Sequence, residues 1–204
     1  MNYAHWYYFL TLVEDLENST RYVEVDKANY KTFSVEFTRI ILSACSEIDV
    51  VSKILCSSTD ATGQYENIRD YERILVKEFP KLSTAEIALR RYGIKIIPWE
   101  SWASKKVPDW WTWHNQIKHQ RDKFFQDANL ECALYAVAGL AVMVSYLYVN
   151  ELVEHKLTSI PDFLFLSSRA DQSYGTISRA RPLVCPPDYD PPGFGRNATP
   201  LKKR

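Results

Sequence analysis

The chain has 204 residues, 46% of them hydrophobic and 14% aromatic, and its 25 basic and 25 acidic side chains cancel to zero formal net charge. That much apolar surface excludes a disordered chain and suffices for one domain with a proper core. Zero net charge excludes whole-molecule attraction to nucleic acid, so any RNA or DNA contact must use a local basic patch.

A first helix is predicted over Tyr3–Asn18, where Trp6, Phe9, Leu10, Val13 and Leu16 recur at helical spacing and Glu14, Asp15 and Glu17 take the other side. A polar connection follows through Glu24–Lys31. Ser34 then opens the strongest helix signal, Ser34–Cys56, with Phe37, Ile40, Ile41, Ala44, Ile48, Val51, Ile54 and Leu55 at three- and four-residue steps. Ser57–Gly63 reads as a loop. Asn67–Phe79 reads as a helix, ended by Pro80. Residues 80–108 form an irregular or hairpin insertion, because the β-branched run Ile94-Lys95-Ile96-Ile97 favours extended backbone. A Trp-rich helix is expected over Asp109–Phe125, with Asp109 as its cap, and an apolar helix over Ala128–His155 after a break at Gln126-Asp127. Seven of the ten prolines lie at or beyond Pro161, so residues 161–204 are expected to be a loose Pro-rich arm on a 1–160 bundle domain.

Ala133–Val149 is almost wholly apolar, yet it falls short of the roughly 20 residues that span a bilayer. Glu131 and Asn150 stand at its ends. A helix buried on all sides of a bundle reads the same way, so no membrane role is expected. Cys45, Cys56, Cys132 and Cys185 are far apart with no CxxC spacing, which leaves a zinc site or redox pair unsupported. No basic head with an apolar stretch and cleavage site opens the chain, and the expectation is a reduced, cytoplasmic protein. No Gly-rich phosphate loop, HExxH or G-x-S-x-G occurs, so neither metal nor cofactor is expected.

Trp110–Arg121 is the most informative stretch, with three Trp, two His, an Asn, a Lys and an Arg. On a continuous helix His114, Ile117, Lys118 and Arg121 share one stripe, and Asn115, Lys118, His119 and Asp122 the next. The Trp cluster serves packing or stacking on nucleobases, with packing the simpler use. Glu47 falls at the edge of the apolar stripe of its helix. Half-burying a carboxylate calls for a cation, and His119, Lys118 or Arg121 is expected to supply it. The tail Lys202-Lys203-Arg204, with Arg196 upstream, offers salt-sensitive phosphate affinity or plain solvated charge.

A long helix with an acidic residue on its apolar face, then N-x-x-x-H, then a very apolar helix, resembles the HEPN superfamily across about residues 3–155. That family is all-α and usually dimeric, and many members are ribonucleases of toxin–antitoxin and phage-defence systems. Its signature is R-x4-6-H, often with a polar residue after the Arg. In His114-Asn115-Gln116-Ile117-Lys118-His119, Asn115 takes the polar position and His119 the His, whereas His114 stands where the family has Arg. The resemblance implies an all-α, up-and-down bundle and a homodimer whose motif helices face one another, with Trp102, Trp110, Trp111 and Trp113 near the seam. It also implies metal-independent RNA cleavage, with His119 as acid or base, His114 and Asn115 assisting, Glu47 facing the motif, and Lys118 or Arg121 on phosphate. Two functions stay open. One is an RNA-cleaving or RNA-binding protein, such as an endoribonuclease or toxin-like defence component acting through His119 with an antitoxin as partner. The other is a catalytically inactive dimeric module binding a partner protein or a nucleotide.

Overall fold

The computed structural model of the chain describes residues 3–154, 156–157, 161–166 and 186–188. Its helices are α1 (Ala4–Ser19), α2 (Val35–Thr59), α3 (Ile68–Glu78), α4 (Asp109–Phe124), α5 (Leu130–Leu147) and α6 (Val149–Val153). The chain is mostly helical, as expected. The extended insertion is an antiparallel hairpin of β1 (Ile87–Leu89) and β2 (Ile94–Ile96), turned at Gly93 with φ +64. Glycine suits that left-handed turn because it lacks the Cβ that other residues would bring there.

Ser34 is extended, and its hydroxyl accepts the Phe37 N–H at 3.0 Å, which fixes where α2 begins. The stripe that signals the helix is buried from Phe37 through Val51 and at Leu55, whereas Ile54, at the edge of that stripe, is 38% exposed. α2 packs most extensively on α5, α1 covers both, and α4 touches both from another side. The helix α5, 18 residues at mean hydropathy 1.8, is long and apolar enough to cross a membrane by length and composition, but 83% of it is buried inside the fold. Its neighbours cover the surface that lipid would otherwise take. Fully burying each Leu or Val of this kind contributes roughly 1.5–3 kcal/mol before entropy is charged against it.

Four expectations need correction. The apolar helix does not run unbroken through residue 154: Tyr148 leaves helical backbone at φ −107 and ψ 28. Its ring meets Tyr3, just before α1, and Trp6 of α1 edge-on at 5.8 and 6.5 Å, a contact that no local periodicity encodes. His155 lies outside the described residues. Asp109 does not cap α4; it is the first helical residue, behind an extended Pro108. An acidic side chain there still complements the helix dipole.

The third correction concerns the aromatic seam. Trp102, Trp110 and Trp111 are 1%, 3% and 7% exposed, so they are core and leave too little surface for a protein seam, although one edge of Trp111 lines a cleft. Trp110 donates Nε1–H to the Pro98 carbonyl at 2.9 Å, and Trp99 donates to the Gly139 carbonyl at 3.1 Å. These bonds satisfy the indoles inside the fold. Trp113 is half-buried, with the Lys31 ammonium 5.0 Å from its ring centre. Fourth, the residues beyond 160 are not uniformly loose. β3 (Phe165–Leu166) pairs with β1 to give the sheet order β2-β1-β3, and Asp188 accepts the Tyr146 hydroxyl at 2.6 Å and the Lys81 N–H at 3.2 Å. Cys185, Arg196 and the basic tail lie outside the described residues.

Candidate functional site

A cleft of about 610 Å³ opens between α2, the first turn of α3 and α4. From α4 it receives Trp111, His114, Asn115 and Lys118, four positions at helical three- and four-residue steps. From α2 come Cys45, Asp49 and Lys53, with Asn67 and Glu66 at the mouth of α3. The depth of the cleft is apolar and its rim polar, because α2 and α4 each turn the edge of a core-facing stripe toward it.

His114 is the deepest polar group, 5% exposed, with its ring 5.1 Å from that of Trp111. Burial lowers its pKa to about 4, and the charges of Lys118 and His119 push the same way, against a smaller pull from Asp49. The imidazole is therefore neutral near pH 7. Its Nδ1 is buried with no hydrogen-bond partner. Behind it, burial holds the Cys45 thiol well above its ordinary pKa, so this is an inert thiol rather than a nucleophile. Asp49 takes the Tyr71 hydroxyl on one oxygen at 2.5 Å and the Lys53 ammonium on the other at 2.6 Å. Among the described residues Lys118 has no salt bridge.

The structure brings His114, Asn115 and Lys118 together but not the other expected members. Glu47 does not meet His119, Lys118 or Arg121. Its carboxylate contacts His5 Nδ1 of α1 at 2.5 Å, on a different side of α2. His5 was the unforeseen partner because it lies 42 residues away on a helix whose orientation the sequence leaves open. His119 and Arg121 are exposed and outside the cleft. The reason for Arg121 is a break in α4: Gln120 sits at φ −144 and ψ 50, so the stripe through His114 and Lys118 stops one residue before it. Asp49, Lys53 and Asn67 were missed. Asp49 and Lys53 carry a readable signal, opposite charges four apart on a helix, while Asn67 announces only a cap.

Among the described residues no group of three or more His, Cys, Asp or Glu is placed to hold a metal ion. A second, smaller cleft of about 370 Å³ lies between the hairpin insertion and the start of α4, lined in part by Glu100, Asp109, Trp113 and Glu131. No protein-family model matches the chain, and no curated protein or solved structure matches it either.

Proposed function

We propose that the chain is an HEPN-like module that binds RNA at the α2–α4 cleft without cutting it, and that it works as a homodimer. The observation that carries this is His114, which occupies the position of the family's Arg as a buried, neutral imidazole. A guanidinium stays charged and presents a planar fork of donors to a phosphate, and this ring does neither near pH 7. Glu47 is engaged by His5, so the acid–base set that cleavage needs is not assembled within one protomer. Support for binding comes from Asn115 and Lys118 on the rim and the aromatic wall of Trp111. The buried, free thiols Cys45, Cys56 and Cys132 fit a reducing compartment such as the cytoplasm.

Because the tryptophans are spent in the core, the dimer must use another surface. Val50 and Ile54 are 41% and 38% exposed, one turn apart on α2, and they flank Lys53 at the cleft. Pairing there sets two clefts side by side.

Fluorescence anisotropy with labelled RNA, beside a metal-free cleavage assay, tests the reading. Salt-sensitive binding with intact RNA is expected. Cleavage that disappears in His119→Ala overturns the silent-module reading in favour of an endoribonuclease or toxin. Since His119 is exposed, that variant should melt within about 0.5 kcal/mol of wild type, so lost cleavage would not be lost fold. Failure to bind any RNA overturns the RNA reading and leaves a protein partner, such as an antitoxin, as the cleft's occupant.

A further inference from the structure

The cleft is built to do more than attract a phosphate chain. Its deepest polar group is neutral, nine-tenths buried and short of one hydrogen bond, and that combination selects among ligands. An anion gains from an uncharged imidazole at most one neutral hydrogen bond and no ionic attraction. A ligand edge that carries amide-like donors and acceptors gains a partner that the protein itself withholds. A half-turn about the Cβ–Cγ bond exchanges the two edges of the ring in nearly the same volume, so the unpaired nitrogen can be offered to whichever side needs it.

The surrounding walls add two further requirements. Trp111 packs against His114, and Leu42 of α2 lies on the opposite lining, which favours a flat apolar face between them. At the rim Lys53 is already committed to Asp49, and Lys118 is the cation left to take a negative group. The volume of about 610 Å³ falls inside the roughly 300–1,000 Å³ of ordinary small-ligand sites and has no room for a duplex.

A flat ring with a hydrogen-bonding edge, joined to a phosphate, meets all three requirements. We infer that the cleft takes one unpaired nucleobase, with its edge on His114, its face along Trp111 and its phosphate on Lys118. This rests on the RNA-binding reading above, and it makes single-strandedness the property recognised, since only an unstacked base can enter. The same base-and-phosphate chemistry is presented by a free mononucleotide or by one residue of an RNA strand.

The test is binding of single-stranded RNA, hairpin-free duplex RNA and nucleoside monophosphates to the full chain, with competition between them. Single strands are expected to bind, duplex much more weakly, and at least one monophosphate to compete. Lys118→Ala, at an exposed position, should weaken single-strand binding and lower its salt slope by about one. His114→Leu should cost about two- to tenfold, the loss of one neutral hydrogen bond, while His114→Asn, which keeps a polar group near Nδ1, should cost less. If His114→Leu fails to fold, the Lys118 variant and the competition experiment still decide. RNA binding that ignores monophosphates and both substitutions overturns this placement while leaving the RNA reading intact, as does equal affinity for duplex. Monophosphate binding without affinity for any RNA strand assigns the cleft to free nucleotides and overturns the RNA reading alone. No binding of either kind overturns both.

Discussion

His114 joins two properties that rarely coexist without a purpose: near-complete burial and a ring nitrogen with no partner. Its proton linkage is measurable. The folded-state pKa of about 4 lies below the ordinary value of 6.5, so between those limits the unfolded chain binds the proton and the folded chain does not. Stability should therefore be flat above about pH 6.5 and fall as pH drops toward 4, by on the order of 3 kcal/mol in total. Denaturant melts at pH 7, 5.5 and 4 on wild type and His114→Asn check this. The wild type should lose stability in that window by more than the variant does. Equal slopes would mean that the imidazole is solvated and titrates freely. The comparison matters because Lys118, His119 and Asp49 all act on this ring, and the His5–Glu47 pair is common to both proteins.

Among the elements, α5 shows how much of the interior depends on one residue without a side chain. A Cβ at Gly139 would sit 3.1 Å from two ring atoms of Trp110 and 3.4 Å from Trp99. Neither indole has freedom to retreat. Trp110 is held by the Pro98 carbonyl and lies between Trp99 and Trp111, at 5.0 and 5.8 Å between ring centres. Alanine adds helix propensity of about 1 kcal/mol, but overpacking costs roughly 1–3 kcal/mol, so Gly139→Ala should destabilise by about 1 kcal/mol net. A thermal melt should show a drop of about 2–4 °C. A stabilised variant would show that the Trp110 ring moves aside easily. The same row of rings, Trp102, Trp99, Trp110, Trp111 and then His114, connects the hairpin insertion to the cleft, so the insertion's packing sets where the α4 site residues stand.

For the whole molecule the open quantity is the number of chains. If Val50 and Ile54 form the seam, light scattering at micromolar concentration should give a mass of about two chains. Val50→Glu with Ile54→Glu should return one chain, because two carboxylates per protomer cannot be buried unpaired against a symmetry mate. Their circular dichroism should stay unchanged, since both side chains are already exposed. A wild-type monomer removes the homodimer from the proposed function.

Most of the helices were legible because α2 buries a continuous stripe with a 3.6-residue period and α5 is an unbroken apolar run, and both are written into the order of residues itself. Ser34 and Pro80 marked ends for an equally local reason: a cap and a missing donor act within one turn. The candidate site was legible in part. His114, Asn115 and Lys118 share the cleft because they share a helix face, which spacing determines. Where spacing failed, a single backbone residue or a distant helix had intervened. Gln120 ended the α4 stripe, Tyr148 broke the apolar helix to meet α1, and His5 reached Glu47 across 42 residues. The sequence by itself determined where the main helices lie and which of their residues are apolar, since both follow from interactions within a few residues. Only the tertiary structure decided which side chain meets Glu47, which tryptophans are core and that His114 is neutral. Burial and pairing depend on which helices meet, and the chain specifies that only through the packing of all of them together.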